Sequence, residues 1–451
     1  MYLAINILGL LVFVGLGWAF SANRKKIQWK SVGIMVVLNV LIAWILTSFE
    51  WGRAAVNAAA QGFTWLVSVA DKGISFAFGW WALPHDGSVT FVVSALLPIL
   101  LVVPLFDILT YIGFLPWLIK WIGRFLSFIT RQPKFETFFA VEMMFLGNTE
   151  ALAVSKIQLQ KMKPARAVVI GMMSMSCVTA AILASYIQLV PGQFVLTAVP
   201  LNCVNALIVA NMLYPAEVTE EEDVIYNLGD EDKTPEQIAD AAKKAKEDRA
   251  IVKQCRKEGK PVPEGVSYTP WYKRTAVKDP NKPKKEPFFS FLGDSILGAG
   301  KLILIIIANV VAFVALAGLI DKILGAIWDK LSLESILGVF MYIPCWLLGL
   351  PAKTAWSMSQ LAGLKLVTNE FVAMGDITKS VAAFAPHYKA VITVFLTSFA
   401  NFGTLGMIIG AFKSIVDKKK NDVISGQVWR MFVSGILVSL MSAAMVGLFV
   451  W

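Results

Sequence analysis

Long apolar stretches recur along this chain, several of them exceeding the ~18 residues that mark a bilayer-spanning segment. Backbone polar groups in hydrocarbon must be paired within the segment, so such runs fold as α-helices. The expected fold class is therefore an all-α polytopic membrane protein. A soluble protein with buried core helices needs shorter apolar runs and carries about 25% charged residues. Here the charged share is 16% and the hydrophobic share 57%, over 451 residues. The net charge of +10 does not point to nucleic acid, because the basic residues cluster in turns between apolar runs, as the positive-inside rule describes. Met1–Phe20 lacks the basic start of a cleaved signal peptide, and Arg24, Lys25 and Lys26 follow it instead. That flank puts the N-terminus outside and the first turn in the cytoplasm.

Several function classes drop out early. Cys177, Cys203, Cys255 and Cys345 are too scattered for a disulfide framework. Two histidines, His85 and His387, show no ligand spacing, so no metal site is expected. The chain has no G-x-x-x-x-G-K-[ST], H-E-x-x-H or G-x-S-x-G, which argues against an ATP-driven pump and against an enzyme. No cofactor is expected.

Tyr2–Phe20 and Ser31–Phe49 read as the first two spans, joined by SANRKKIQWK. Trp51 to Trp81 is less uniformly apolar and reads as a partly interfacial outer segment. Val89–Phe114 is a third span. In Trp117–Thr130, Lys120 and Arg124 stand four apart among aromatics, which suits a helix lying in the membrane plane. Phe135–Met162 is apolar but interrupted by FLGNTEALA, the pattern of a re-entrant hairpin. Ala167–Leu189 and Gly192–Tyr214 follow as spans. Pro215–Pro287 switches to dense charge of both signs and reads as a solvated cytoplasmic loop, with a helix over Thr234–Glu258 capped by Thr234. Leu297–Ile323 spans again, and Leu337–Phe371 breaks at LPAKTAW and LVTNEF as a second hairpin. Val391–Phe412 and Met431–Trp451 close the chain, separated by KSIVDKKKND. The sum is about eight transmembrane helices plus two re-entrant hairpins in an inverted-repeat arrangement, with both termini outside. The corresponding regions are a scaffold with its interfacial helix (1–130), the first hairpin and following helices (131–214), the loop (215–287), one span (288–336), and the second hairpin with the last helices (337–451).

An ionisable side chain in a span costs at least ~2.5–3.5 kcal/mol on insertion scales, so each one marks a candidate site. Both hairpins carry an amide beside a carboxylate: Asn148-Thr149-Glu150 and Thr368-Asn369-Glu370. Half-helix N-termini offer free N–H groups there, and the side chains offer donors and acceptors to a polar solute. The alternative is that these residues only cap the half-helices. Asn401 and Thr404 fall one helical turn apart on one face of the span that follows, where they either contact a ligand or bond between helices. Asp107 reads as a partner to a neighbouring helix, Glu142 as more deeply buried than Glu136, and Lys301 as snorkelling to the interface.

These residues resemble the concentrative nucleoside transporter family over nearly the whole chain. The features that carry the resemblance are the basic first turn, the amphipathic helix before a hairpin with Gly147-Asn148-Thr149-Glu150, then GLKLVTNEFVA, then Phe399-Ala400-Asn401. The resemblance implies that Asn148, Thr149 and Glu150 face the nucleobase and that Glu370, Asn401 and Thr404 meet the ribose. It places Phe399 beside them and makes Ile182 and Leu302 apolar walls. It also implies a homotrimer whose protomers work by alternating access, moving a hairpin-bearing domain past a scaffold. Asn148 stands where the family usually has Gln, one methylene shorter, which either changes its reach or leaves room for a larger base such as a purine. Sodium-coupled members carry an asparagine and a serine where this chain has Met143 and Cys177, and soft sulfur groups suit sodium poorly. A carboxylate in apolar surroundings can instead exchange a proton near neutral pH, so proton coupling is expected, with Glu142, Glu150 or Glu370 as carrier. A passive channel, or a carrier of another solute such as a nucleobase, remains the competing reading.

Overall fold

The computed structural model describes residues 1–82, 90–219, 222–226, 234–258, 286–328 and 331–451; His85 and residues 259–285, most of the second half of the segment expected as a solvated loop, lie outside the described residues. The described residues form helices joined by short turns, with no strand among them. The first half runs through α1 (Tyr2–Ala19), α2 (Trp29–Thr47), α3 (Glu50–Phe78), α4 (Ile99–Tyr111) and α5 (Phe114–Thr130). It continues through α6 (Lys134–Leu146), α7 (Asn148–Val154), α8 (Lys156–Lys161), α9 (Pro164–Met173), α10 (Ala180–Leu189) and α11 (Gly192–Leu213). After α12 (Pro235–Glu258) come α13 (Phe288–Ile327), α14 (Leu333–Trp346), α15 (Ala352–Val367) and α16 (Glu370–Ile377). The chain closes with α17 (Pro386–Leu396), α18 (Phe402–Ile415), α19 (Lys418–Ser425) and α20 (Val428–Gly447).

Six of these stretches are long and apolar enough to cross a membrane: α1, α2, the run from Val92 through α4, α11, α13 and α20. The other two expected spans are broken in the middle. Ala167–Leu189 resolves into α9 and α10, with residues 174–179 between them out of helix, and Val391–Phe412 into α17 and α18, separated at 397–401. Each broken helix follows a hairpin, so the order hairpin, broken helix, long helix occurs in both halves. Proline starts both α9 and α17, where its missing N–H costs no helical bond.

Lipid gives no hydrophobic drive for helix association, so close packing and polar bonds hold the bundle. α11 and α20 are buried along most of their length and form its centre. Four buried asparagines bond across helices: Asn6 to the Ala444 carbonyl (2.8 Å), Asn39 to that of Leu201 (3.0 Å), Asn202 to that of Thr397 (2.6 Å), and Asn205 to Ser442 Oγ (2.9 Å). Glycines set the closest approaches. A β-carbon on Gly363 of α15 would lie 2.4 Å from the Glu334 carbonyl of α14, so these two helices pack backbone to backbone. The 40-residue α13 is the opposite case: it is uncharged from Leu302 to Ile320, buries few residues, and presents Leu304, Val311, Leu319 and Ile323 outward, as a lipid-facing helix does.

Several elements differ from expectation. The second hairpin is not Leu337–Phe371: α14 is a separate helix joined to α15 through the turn at Gly349, and the hairpin is α15–α16 with its tip at Thr368–Asn369. The region boundary expected at 336/337 therefore falls inside α14. Trp51–Trp81 is mostly one regular helix, α3, which buries Gly52, Val56, Val67, Ala70 and Ile74 on a single face. α5 is amphipathic as expected, with Leu115, Ile119, Gly123 and Leu126 packed inward and Lys120, Arg124, Trp117 and Trp121 exposed. α12 begins with the expected cap, Thr234 accepting from the Gln237 N–H while the Gln237 side chain accepts from that of Thr234.

The base of the first hairpin is held by charge. Arg166 on α9 makes a two-pronged pair with Glu136 on α6, both bonds at 2.8 Å, with each side chain only 3% exposed. Residues 222–226 lie over this pair. Arg166 also donates to the Glu222 carbonyl, Lys134 pairs with Asp223, and Gln158 donates to the Val224 carbonyl while accepting from the Tyr226 N–H.

Candidate functional site

The two hairpin tips and the two helix breaks meet at one cavity of about 460 Å³, within the ~300–1,000 Å³ usual for small-molecule sites. Four helices begin at its wall: α7 after Gly147, α10 after Thr179, α16 after Asn369 and α18 after Asn401. Each contributes the unpaired N–H groups and partial positive charge of a helix start. Asn369 Oδ1 caps α16 through the Val372 N–H (3.0 Å), and Asn401 Oδ1 caps α18 through that of Thr404 (2.7 Å). Thr179 caps α10 and donates to the Phe145 carbonyl at the first tip (3.0 Å). The first tip turns on Gly147 at φ +88°, where a β-carbon would sit 2.9 Å from Glu150 Oε2 and 3.2 Å from Thr179. Only glycine fits both that conformation and that space.

The carboxylates stand in the first turns of α7 and α16, where a helix start favours negative charge. Glu370, 3% exposed, accepts from the Tyr186 hydroxyl (2.9 Å) and from Asn401 Nδ2 (3.1 Å). Tyr186 is itself held edge-on against Phe371, 4.9 Å between ring centres. Glu150 accepts from Thr149 Oγ1 (2.9 Å), and Asn148 donates to the Ser174 carbonyl in the first break (3.3 Å). On the facing wall, Ser295 of α13 hydrogen-bonds Asp107 of α4. The apolar lining includes Phe106, Ile182, Leu302, Phe313 and Phe399. Among the described residues the wall carries Asp107, Glu150, Asp294 and Glu370 and no lysine, arginine or histidine.

Every residue singled out for substrate (Asn148, Thr149, Glu150, Ile182, Leu302, Glu370, Phe399, Asn401 and Thr404) lines this one cavity. One local expectation changes: Asn401 is not on a helix face with Thr404 but is the cap that starts α18. Glu142, Met143 and Cys177 do not line the cavity; all three are buried, and Ser155 Oγ donates to Glu142 between the arms of the first hairpin (3.1 Å).

Residues 194–447 match the family model described as Na+ dependent nucleoside transporter C-terminus, and residues 8–81 match the corresponding N-terminus. The chain is 41% identical to the purine nucleoside transport protein NupG of Bacillus subtilis (strain 168), over 100% of both chains. The chain belongs to the concentrative nucleoside transporter family. Another relative is the nucleoside permease NupC of Helicobacter pylori, 24% identical over 99% of this chain and 97% of that one. The structure of CNTnw in an inward-facing substrate-bound state superposes with a TM-score of 0.80 at 24% identity, covering 100% of this chain and 98% of that one. As a nucleoside transporter of this family, the protein is not an enzyme, and its apolar helices make it multi-pass in the membrane.

Some of the residues at or behind this transporter's cavity wall were not foreseen. Tyr186 lies in an ordinary apolar helix, and only the tertiary fold brings its hydroxyl to Glu370. Thr179 did leave a signal: it follows the first tip at the same distance along the chain as Asn401 follows the second. Asp107 bonds to a neighbouring helix as expected, and also faces the cavity.

Proposed function

We propose that this transporter is an ion-coupled symporter that imports nucleosides by alternating access, with protons favoured over sodium. The observation that carries this reading is the cavity where four helix starts converge on Glu150 and Glu370. An ionised carboxylate offers about four lone-pair positions, and Glu370 uses two of them internally. The rest suit the paired hydroxyls of a ribose, with Asn401 and Thr404 beside them. Asn148, Thr149 and Glu150 then face the base edge, and Ile182, Leu302 and Phe399 its flat sides. The short Asn148 side chain, together with the purine nucleoside named for the Bacillus subtilis relative, favours purines.

The family model's description names sodium. Met143 and Cys177, both buried, put sulfur where hard oxygen ligands are wanted. Glu142 supports a proton carrier, since it is buried against a neutral serine with no basic group paired to it among the described residues; Glu150 and Glu370 are the other two carriers proposed. In this reading both termini lie outside, the 215–287 segment is cytoplasmic, and three copies assemble in the bilayer with no cofactor.

Competition binding tests the site. Labelled adenosine on purified transporter is displaced by unlabelled adenosine, inosine, uridine, cytidine, adenine or ribose. Inosine is expected to displace best after adenosine. Adenine should be weaker by tenfold or more, because hydrogen bonds to a charged group contribute ~1.5–3 kcal/mol each. Equal displacement by adenine would instead make the solute a nucleobase.

A further inference from the structure

Among the described residues, Lys365 is the most deeply buried cationic side chain, with no exposed surface and no carboxylate within ion-pair distance. It stands in the last turn of α15, the long arm of the second hairpin. Its amino group donates to the Phe395 carbonyl and to Ser398 Oγ, each at 2.6 Å, and lies 4.6 Å from the centre of the Phe395 ring. The Phe395 carbonyl belongs to the last turn of α17, where the break removes the N–H that would have bonded it. Ser398 in turn shares a 2.6 Å hydrogen bond with Ser439 on α20. One side chain thus ties the hairpin arm to the break, and through Ser398 to the central helix. None of this touches the cavity wall.

Among the described residues the first half has no such tie at its break: its buried ionic tie, Arg166 to Glu136, joins the hairpin arm to the start of α9 instead. Met143 precedes the Gly147 cap by the same four residues by which Lys365 precedes the Asn369 cap, and a thioether donates nothing. Among the described residues, the hydrogen bonds between the first hairpin's tip and its break are those of Asn148 and Thr179, both on the cavity wall. A solute that bonds those two residues competes with that junction. The Lys365 junction lies behind the wall, and Lys365, Phe395, Ser398 and Ser439 are not part of the lining.

We propose that Lys365 is a positioning residue for transport: it fixes the α17–α18 break to the second hairpin, and so holds Asn401 and Thr404 in register with Glu370. The second hairpin's long arm, the break and α20 are then held together as one unit. This inference rests on the reading above that Glu370, Asn401 and Thr404 meet the ribose.

The test compares half-saturation for adenosine and 2′,3′-dideoxyadenosine in wild type, Lys365→Met, Lys365→Arg and Ser398→Ala, with folded protein verified by its melting profile. Wild type should favour adenosine by about tenfold or more, the scale of hydrogen bonds to a charged group. Lys365→Met should raise the adenosine value severalfold while leaving the dideoxy value nearly unchanged, so the preference collapses to roughly twofold. Lys365→Arg, which keeps donors in reach of both oxygens, should restore most of the preference, and Ser398→Ala should fall between. If wild type shows no preference, the ribose reading itself fails. If wild type discriminates and folded Lys365→Met discriminates equally, Lys365 does not position the site. If Lys365→Met does not fold, an unchanged preference in Ser398→Ala overturns the proposal, and a reduced one upholds it.

Discussion

Glu370→Gln should reduce concentrative uptake to a small residual level while leaving the protein folded. The substitution preserves the shape of the side chain but exchanges one acceptor oxygen for a donor. Tyr186 and Asn401 both donate to Glu370, so one of them must then face an NH₂ group. Removing a charged acceptor from a buried network costs ~1.5–3 kcal/mol for each bond affected, and the ribose contacts add to that loss. Uptake efficiency should fall by about two to three orders of magnitude. Tyr186→Phe is the graded comparison: it keeps the packing against Phe371 and removes a single hydroxyl, so a drop of roughly fivefold to tenfold is expected. Initial rates of labelled nucleoside uptake, normalised to folded transporter, measure both. Near-wild-type uptake by Glu370→Gln would show that the carboxylate is not part of the site.

Arg166→Met should produce the largest loss of stability. The Arg166–Glu136 pair is buried and doubly hydrogen-bonded, and removing one partner of such a pair costs about 3–5 kcal/mol because the remaining charge is stranded. Replacing both, as Arg166→Met with Glu136→Leu, should recover much of that loss, since a well-packed apolar pair often serves as well as a buried ionic one. Thermal unfolding of the purified protein in detergent reads the effect. A double variant no better than the single one would mean that residues 222–226, which Arg166 also contacts, account for the stability.

Composition and the positions of polar groups carried most of the architecture. Six spans are visible as apolar runs, and the hairpin tips are visible because Gly147 and Asn369-Glu370 interrupt such runs. The two helix breaks were not legible. Serine and threonine barely lower the apolarity of Ala167–Leu189 or Val391–Phe412, and a break held by caps and cross-helix bonds is paired only in three dimensions. That is also why Asn401 read as a helix-face residue: its role as a cap depends on where α18 starts. α14 merged with the second hairpin for a related reason, since its apolar sequence continues into α15 apart from the turn at Gly349. Asn148, Thr149, Glu150, Glu370, Asn401 and Thr404 lie around one cavity because their motifs sit at helix starts, where local sequence fixes position; Ile182, Leu302 and Phe399 are indicated by the family resemblance alone. Tyr186 and Lys365 act through partners far along the chain, and nothing local announces them.

Concentrative, proton-driven transport is tested most directly by labelled adenosine uptake into proteoliposomes under an imposed pH gradient, compared with an imposed sodium gradient. Glu370→Gln serves as the control. Accumulation above the external concentration with the pH gradient alone, and almost none in Glu370→Gln, is the predicted result. Accumulation that requires sodium would place the ion on groups other than the Met143 and Cys177 side chains and would remove the proton from the account. No accumulation of any nucleoside under either gradient would contradict nucleoside symport itself and leave a channel or another solute.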